Sequence, residues 1–158
     1  KSHIQNYIQK LNIDIKQTDI YYQRAWATIS RGLENISPHT HAQSHISFAY
    51  YLKKSSSEAK ILFLDQNKNN EVIPMLFSSK SVNQKNILKK RDELNTSAIT
   101  FDVDEDDIVI FPSKTLHSTQ ANIKNDTRIS LSADVIILAN DSGNLEHLIP
   151  SFKNWKKF

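Results

Sequence analysis

The sequence has no cysteine, only two glycines, four prolines and one methionine among 158 residues. Without cysteine there is no disulfide and no thiolate metal site, so any metal must be held by imidazole, carboxylate or amide groups. So few glycines exclude the Gly-rich loops that cradle phosphates, and with them the common nucleotide-binding motifs. No apolar run approaches the roughly 18 residues that a membrane-spanning helix requires. No signal-peptide pattern opens the chain. The start at Lys1 reads as a trimmed one, and the default expectation is a cytoplasmic protein. Charge of one sign is scarce as well. Twenty basic and 17 acidic side chains leave a formal charge of +3. The excess lies in Lys89, Lys90 and Arg91 and in Lys153, Lys156 and Lys157, which read as solvated surface. No broad basic stripe with interleaved aromatics is present, so nucleic acid is not an expected partner.

What remains is ordinary globular material, 39% hydrophobic and 23% charged. The length suits one domain over residues 1–158 with a real core. Ile4, Ile8 and Leu11 recur at helical spacing, which predicts a short amphipathic helix over Lys1–Leu11. From Gln23 the period changes to two. Strands are expected from there to just before Gly32, then at Ile46–Leu52, Lys60–Leu64, Val72–Phe77, Ala98–Val103, Ile108–Phe111, Ser118–Ile123 and Arg128–Leu138. Leu33–Pro38 reads as a connection. Ser78–Asn95 reads as a loop or a short helix around Ile87 and Leu88, long enough to act as a lid. The tail from Asn140 is mixed, with helical character near Leu145 and Leu148. Many short strands with little helix predict a mainly β sandwich or barrel, and no helical crossovers for a mixed sheet are present. Whether strand edges pair in a homodimer is left open by the pattern.

Three of the six histidines fall within seven residues, in Pro38-His39-Thr40-His41-Ala42-Gln43-Ser44-His45. On a strand, residues i and i+2 share a face, so His39 and His41 can aim both imidazoles at one point. A third ligand must come from elsewhere, and His117 is the leading candidate. It follows a buried-looking strand, Ile108–Phe111, and the turn at Pro112-Ser113. Neutral imidazoles suit iron, zinc, copper or nickel, and a three-ligand face leaves the open positions that catalysis needs. The bland alternative is a surface His-x-His. His45 shares the face on strict alternation, although the turn through Ala42–Ser44 breaks the register. His3 and His147 read as surface residues in helices.

A second constellation is Arg128-Ile129-Ser130. Arg128 and Ser130 lie on one strand face, where a guanidinium fork and a hydroxyl can grip the same carboxylate. Tyr51, ten residues after His41, can bring a phenol to that carboxylate. The competing readings are a salt bridge from Arg128 to Asp126 or Asp134, and core packing for Tyr50 and Tyr51.

The order Pro38-His39-x-His41, Ser47-x-x-Tyr50-Tyr51-Leu52, Phe111-Pro112-Ser113 with His117, and Arg128-Ile129-Ser130 resembles the 2-oxoglutarate- and iron(II)-dependent oxygenases. It is similar to a small branch of that superfamily with prolyl-hydroxylase-like barrels, over roughly Trp26 to Ile137. The resemblance implies a double-stranded β-helix, or jelly roll, with short flanking helices. It implies iron(II) held by His39, His41 and His117 as catalytic metal ligands. It further implies 2-oxoglutarate bound by Arg128, Ser130 and Tyr51, and a dioxygenase reaction with O2 that hydroxylates a substrate the sequence does not name. His41 departs from the superfamily, which usually has a carboxylate there. Trp26, Arg31 and Ser78–Asn95 are expected to line the substrate entrance. Two rivals stand beside this reading. One is a cupin-type dioxygenase that uses His45 and no 2-oxoglutarate. The other is a metal-binding barrel without activity.

Overall fold

The structure is a computed structural model that describes all residues except 55–59, 66, 68–69, 78–86 and 122–125. It opens with helix α1 (Ser2–Lys10) and a single 3-10 turn at Ile15–Gln17. Eight strands follow: β1 (Thr18–Arg31), β2 (Ile36–His39), β3 (Ile46–Lys53), β4 (Ile61–Leu64), β5 (Ala98–Phe101), β6 (Ile108–Pro112), β7 (His117–Thr119) and β8 (Thr127–Ala139). They form two four-stranded sheets, ordered β1-β8-β3-β6 and β2-β7-β4-β5, with every strand pair antiparallel. This is the double-stranded β-helix that the motif order implies. Among the described residues, no helix is long and apolar enough to cross a membrane.

Alternation along the strands divides the apolar residues into two separate cores. On β3, Ile46 and Phe48 face outward and pack with Ile4 and Ile8 of α1 and with Val135 and Ile137 of β8. The amphipathic helix therefore covers the outer face of the first sheet, and Ile8 is fully buried there. The opposite face of β3 carries Ala49 and Tyr51, which join Ile61, Phe63, Val103, Val109 and Phe111 between the two sheets. Beside this inner core, the inward face of β8 reads Arg128, Ser130, Ser132 and Asp134. Polar residues at successive inward positions are unusual for a sandwich, whose strands normally turn apolar side chains to the interior. They mark where a site is built.

Several expected elements change. Strand β1 starts at Thr18, five residues earlier than the alternation predicts. Its pairing with β8 shifts between Tyr22 and Arg24, and this bulge interrupts the period that was to be read. Leu33–Pro38 is not all connection, because Ile36–His39 forms β2. Proline is tolerated there because β2 is an edge strand. Val72–Phe77 is a series of turns, with Met75 at φ 67°. Pro74 removes a donor from the run, and only Leu76 and Phe77 are buried. Strand β5 stops at Phe101. The tail near Leu145 and Leu148 is turns rather than helix, which leaves His147 outside any helix, and Phe152–Asn154 is a 3-10 turn. Residues 87–95 are irregular, while the remainder of Ser78–Asn95, like the end of the Ser118–Ile123 strand, lies outside the described residues.

The separation of the two cores makes a prediction. Ile8→Ala should cost about 2–5 kcal/mol of stability in urea unfolding. Metal bound per folded molecule should not change, because the lost side chain lies on the far side of the sheet from the polar face.

Candidate metal centre and anion pocket

His39 ends β2 and stands directly opposite His117, the first residue of β7. His41 lies just past β2, where its backbone N–H donates to the Ser113 carbonyl at 2.9 Å and holds the chain extended. The three rings converge. Their centroids lie 4.3 Å (His39–His117), 5.1 Å (His39–His41) and 5.2 Å (His41–His117) apart. One ring nitrogen from each lies within 4.8 Å of the other two. The sequence expectation that these three imidazoles meet therefore holds geometrically.

Hydrogen bonds select which nitrogen each ring offers. His39 Nδ1 donates to the Ser37 carbonyl and His117 Nδ1 to the Thr115 carbonyl, each at 2.9 Å. His41 Nδ1 lies 3.1 Å from the carboxylate of Asp134. Arg24 Nη2 also approaches that nitrogen at 3.3 Å. The buried, ionised carboxylate can only accept and makes the shorter contact, which assigns the proton to Nδ1 and has it donate to Asp134 rather than accept from Arg24. All three tautomers are thereby fixed with protonated Nδ1, and each Nε2 lone pair is left free for a metal. Burial, helped by His39 and His41 and opposed by the Thr115 carbonyl and Asp134, lowers the pKa of His117 to about 4. That ring is neutral at pH 7, the form that binds metal.

Arg128 occupies the other end of the same narrow cavity, which Trp26, Thr28, Tyr51 and Ser130 also line. It is only 3% exposed. Its Nη2 donates to Ser30 Oγ at 3.1 Å and to Thr119 Oγ1 at 3.0 Å. Its Nη1 is buried and meets no partner among the described residues. The salt bridge to Asp134 does not form, because Asp134 lies six residues, about 20 Å, further along the strand. Tyr51, buried at 2% exposure, stands opposite Ser130 on the neighbouring strand. Burial raises its pKa while the charge of Arg128 lowers it. Arg128 in turn is pushed down by burial. Thr119 is two residues from His117 on β7, so the guanidinium sits about 7 Å along the strand from the histidines. A short dicarboxylate fits that span, with one end at the metal and the other at Arg128. The residues present fit both groups. Three free imidazole lone pairs suit a divalent transition metal, and a buried guanidinium with Nη1 unpartnered among the described residues suits a carboxylate.

Other expected site residues fall elsewhere. His45 does not join the cluster, and its Nδ1 accepts from the Ile137 N–H. Tyr50 points outward and donates to Asp106. Arg31 is exposed at the end of β1 and does not line the cavity. Trp26 does, stacked on His41 at 5.6 Å. Sequence reasoning missed Asp134 as a partner of His41, and it missed Arg24, Ser30 and Thr119. The period-2 rule applied onward from Arg128 reaches Asp134, so that signal was available. A roomier hollow of about 410 Å³ beside α1 contains neither histidine nor arginine.

A family model described as "Putative 2OG-Fe(II) oxygenase" matches residues 24–134. The chain belongs to this 2-oxoglutarate/iron(II) oxygenase family. The match runs from Arg24 to Asp134 and so contains every residue of the cavity described above. Solved structures agree on the fold. The oxygenase chain is similar to AviO1 from Streptomyces viridochromogenes Tue57, with TM-score 0.54 and 8% identity over 93% of this chain and 58% of that one. It is similar to EvdO2 from Micromonospora carbonacea var. aurantiaca in its 2-oxoglutarate complex, with TM-score 0.50 and 13% identity over 96% and 62% of the two chains. It is also similar to SnoN, a non-heme alpha ketoglutarate dependent epimerase from nogalamycin biosynthesis, with TM-score 0.50 and 14% identity over 78% and 53%. The chain thus spans less than two thirds of the length of each. A sequence search of curated proteins gives no match. The family's cofactor and co-substrate are iron(II) and 2-oxoglutarate, the two groups that the donor set fits.

The buried guanidinium, with no partner for Nη1 among the described residues, should weaken the protein when no ligand is bound. Arg128→Met is expected to raise the stability of the metal-free, ligand-free chain by about 1–4 kcal/mol. Thermal unfolding measures this. An unchanged or lower midpoint would show that the guanidinium is already satisfied.

Proposed function

We propose that the chain catalyses an iron(II)- and 2-oxoglutarate-dependent dioxygenase reaction as one oxygenase domain over residues 1–158. In this reading His39, His41 and His117 hold the iron through Nε2. Arg128 grips the distal carboxylate of 2-oxoglutarate, with Ser130 and Tyr51 adding hydroxyl contacts. One observation carries the reading: a buried guanidinium whose Nη1 meets no partner among the described residues shares a cavity with three imidazole lone pairs. When bound, iron(II) and 2-oxoglutarate supply the oxygen chemistry, in which O2 is consumed, 2-oxoglutarate becomes succinate and carbon dioxide, and a substrate C–H bond is oxidised.

The protein's own part is binding, orientation and exclusion of water. The backbone carbonyls of Ser37 and Thr115 lock His39 and His117 in the metal-binding tautomer. Ser30 and Thr119 aim the Arg128 fork along the cavity. Tyr51, Ile61 and Phe111 wall the cavity with apolar surface, which strengthens the charge pairing at its far end. Trp26 covers the histidine end beside the partly exposed Arg24, and this is the side on which the substrate would enter. Hydroxylation is the default outcome. SnoN, an epimerase by its description, has a similar fold, so the fate of the substrate carbon depends on what borders that entrance.

Anaerobic calorimetry of the whole chain with iron(II), followed by 2-oxoglutarate, tests the reading, together with oxygen uptake and succinate release. His117→Ala should abolish iron binding. Arg128→Met should keep the iron and raise the 2-oxoglutarate half-saturation by about 30-fold or more. Absence of iron binding in the wild type, or 2-oxoglutarate affinity indifferent to residue 128, would refute it.

A further inference from the structure

The three histidines are not equivalent. His39 and His117 lean on neutral backbone carbonyls, whereas His41 alone leans on a carboxylate. That carboxylate, Asp134, is fully buried and collects four groups. Arg24 Nε donates to it at 2.5 Å, Ser47 Oγ at 2.7 Å and His41 Nδ1 at 3.1 Å. The fourth contribution is indirect. Ser44 Oγ donates to Ser113 Oγ at 2.8 Å, and Ser113 Oγ lies 2.9 Å from Ser47 Oγ. Ser47 spends its proton on Asp134, so Ser113 must donate to Ser47. The hydroxyls of Ser44, Ser113 and Ser47 therefore form one chain whose donors all run toward Asp134. Burial disfavours the charged form of this group. The hydrogen bonds from Ser47, Arg24 and His41 outweigh that effect, and the net shift of its pKa is downward. A buried anion so heavily donated to is costly to build, and its placement against one imidazole needs a reason.

From this geometry we infer that Asp134 is the positioning residue for His41, and that it delivers through the imidazole the negative charge that the coordination shell otherwise lacks. The inference rests on the metal centre proposed above. Three neutral imidazoles leave a divalent ion at its full +2 charge. A carboxylate hydrogen-bonded to Nδ1–H makes Nε2 a stronger donor and partly offsets that charge from one bond further out. Arg24 works against this by drawing on the same carboxylate from the solvent side. It also stacks on Trp26, 5.2 Å from the ring centroid. The amount of charge lent to His41 is thus set by a balance between Arg24 and the serine chain.

The probe is Mn(II), titrated calorimetrically into the metal-free whole chain. Asp134→Asn keeps the shape and removes the charge, and it should weaken Mn(II) binding about 10- to 100-fold. In a His41→Ala background, where the conduit is gone, Asp134→Asn should produce no further loss. Arg24→Gln should leave Mn(II) affinity unchanged or raise it, because the carboxylate then acts on His41 alone. Unfolding midpoints confirm that each variant is folded, and Arg24→Gln reports even where Asp134→Asn fails to fold. Wild-type affinity in Asp134→Asn would overturn the inference. So would an additive loss in the double variant, or a drop in Arg24→Gln as large as that expected for Asp134→Asn. If the wild type binds no Mn(II) or iron(II), the metal centre itself fails. If it binds and His41→Ala weakens it while Asp134→Asn does not, only the present inference falls.

Discussion

The buried guanidinium of Arg128, whose Nη1 has no partner among the described residues, is the constraint around which the rest of the structure is arranged. A buried cation without an anion is among the most costly groups a small domain can contain. The fold offsets part of that cost with two hydroxyls, Ser30 from the neighbouring strand β1 and Thr119 from β7 of the facing sheet. In the proposed reading, Nη1 is left for the carboxylate of 2-oxoglutarate. The stability needed to tolerate this comes from elsewhere. The cluster formed by α1 with Ile46, Val135 and their neighbours packs on the outer face of the sheet, and of its residues only Phe48 also borders the pocket. Adjacent positions of one strand thus serve opposite purposes, as Asp134 and Val135 on β8 illustrate. One faces the histidines and the other faces the helix.

This division explains what the sequence could and could not reveal. The histidine cluster was legible because ligands to one ion must be close, and His39 and His41 are two residues apart. Locating His117 needed only the expectation that a barrel returns a late strand beside an early one. Arg128 and Ser130 were legible as a strand-face pair. Asp134 was missed although the same strand-face rule reaches it, because a carboxylate six residues from an arginine looks like its salt-bridge partner. Only the strand rise places it too far away and next to His41 instead. Likewise the two serines of the Ser47 and Phe111-Pro112-Ser113 motifs carry no chemistry of their own in the sequence. In the structure they are consecutive links of the hydroxyl chain that ends on Asp134.

The errors in the strand assignment have the same character. The bulge between Tyr22 and Arg24 changes parity within a single strand, and periodicity cannot report a parity change that it assumes away. That bulge has a structural consequence, since beyond it Arg24, Trp26, Thr28 and Ser30 belong to the cavity face. Val72–Phe77 is apolar enough for a strand, but Pro74 and the positive φ of Met75 turn the chain instead. Local composition was the weaker guide in both places. Backbone constraints imposed by one or two residues decided the outcome.

Position 41 is where the chain departs from the carboxylate usual in the wider superfamily, and the departure does not have to weaken the centre. A carboxylate bound directly to iron gives its charge to the metal and fixes that charge. A carboxylate placed behind an imidazole gives a fraction, and the fraction can be tuned by whatever else touches it. Here those other groups are an interior run of serines and a partly exposed arginine stacked on the tryptophan at the cavity mouth. A substrate that displaced Arg24 from Asp134 would increase the charge on His41 at the moment of its own binding. Replacing a directly bound carboxylate by an imidazole–carboxylate pair would then trade a fixed electronic setting at the metal for one coupled to the entrance. Such coupling is useful to an enzyme only if oxygen chemistry should wait for its substrate.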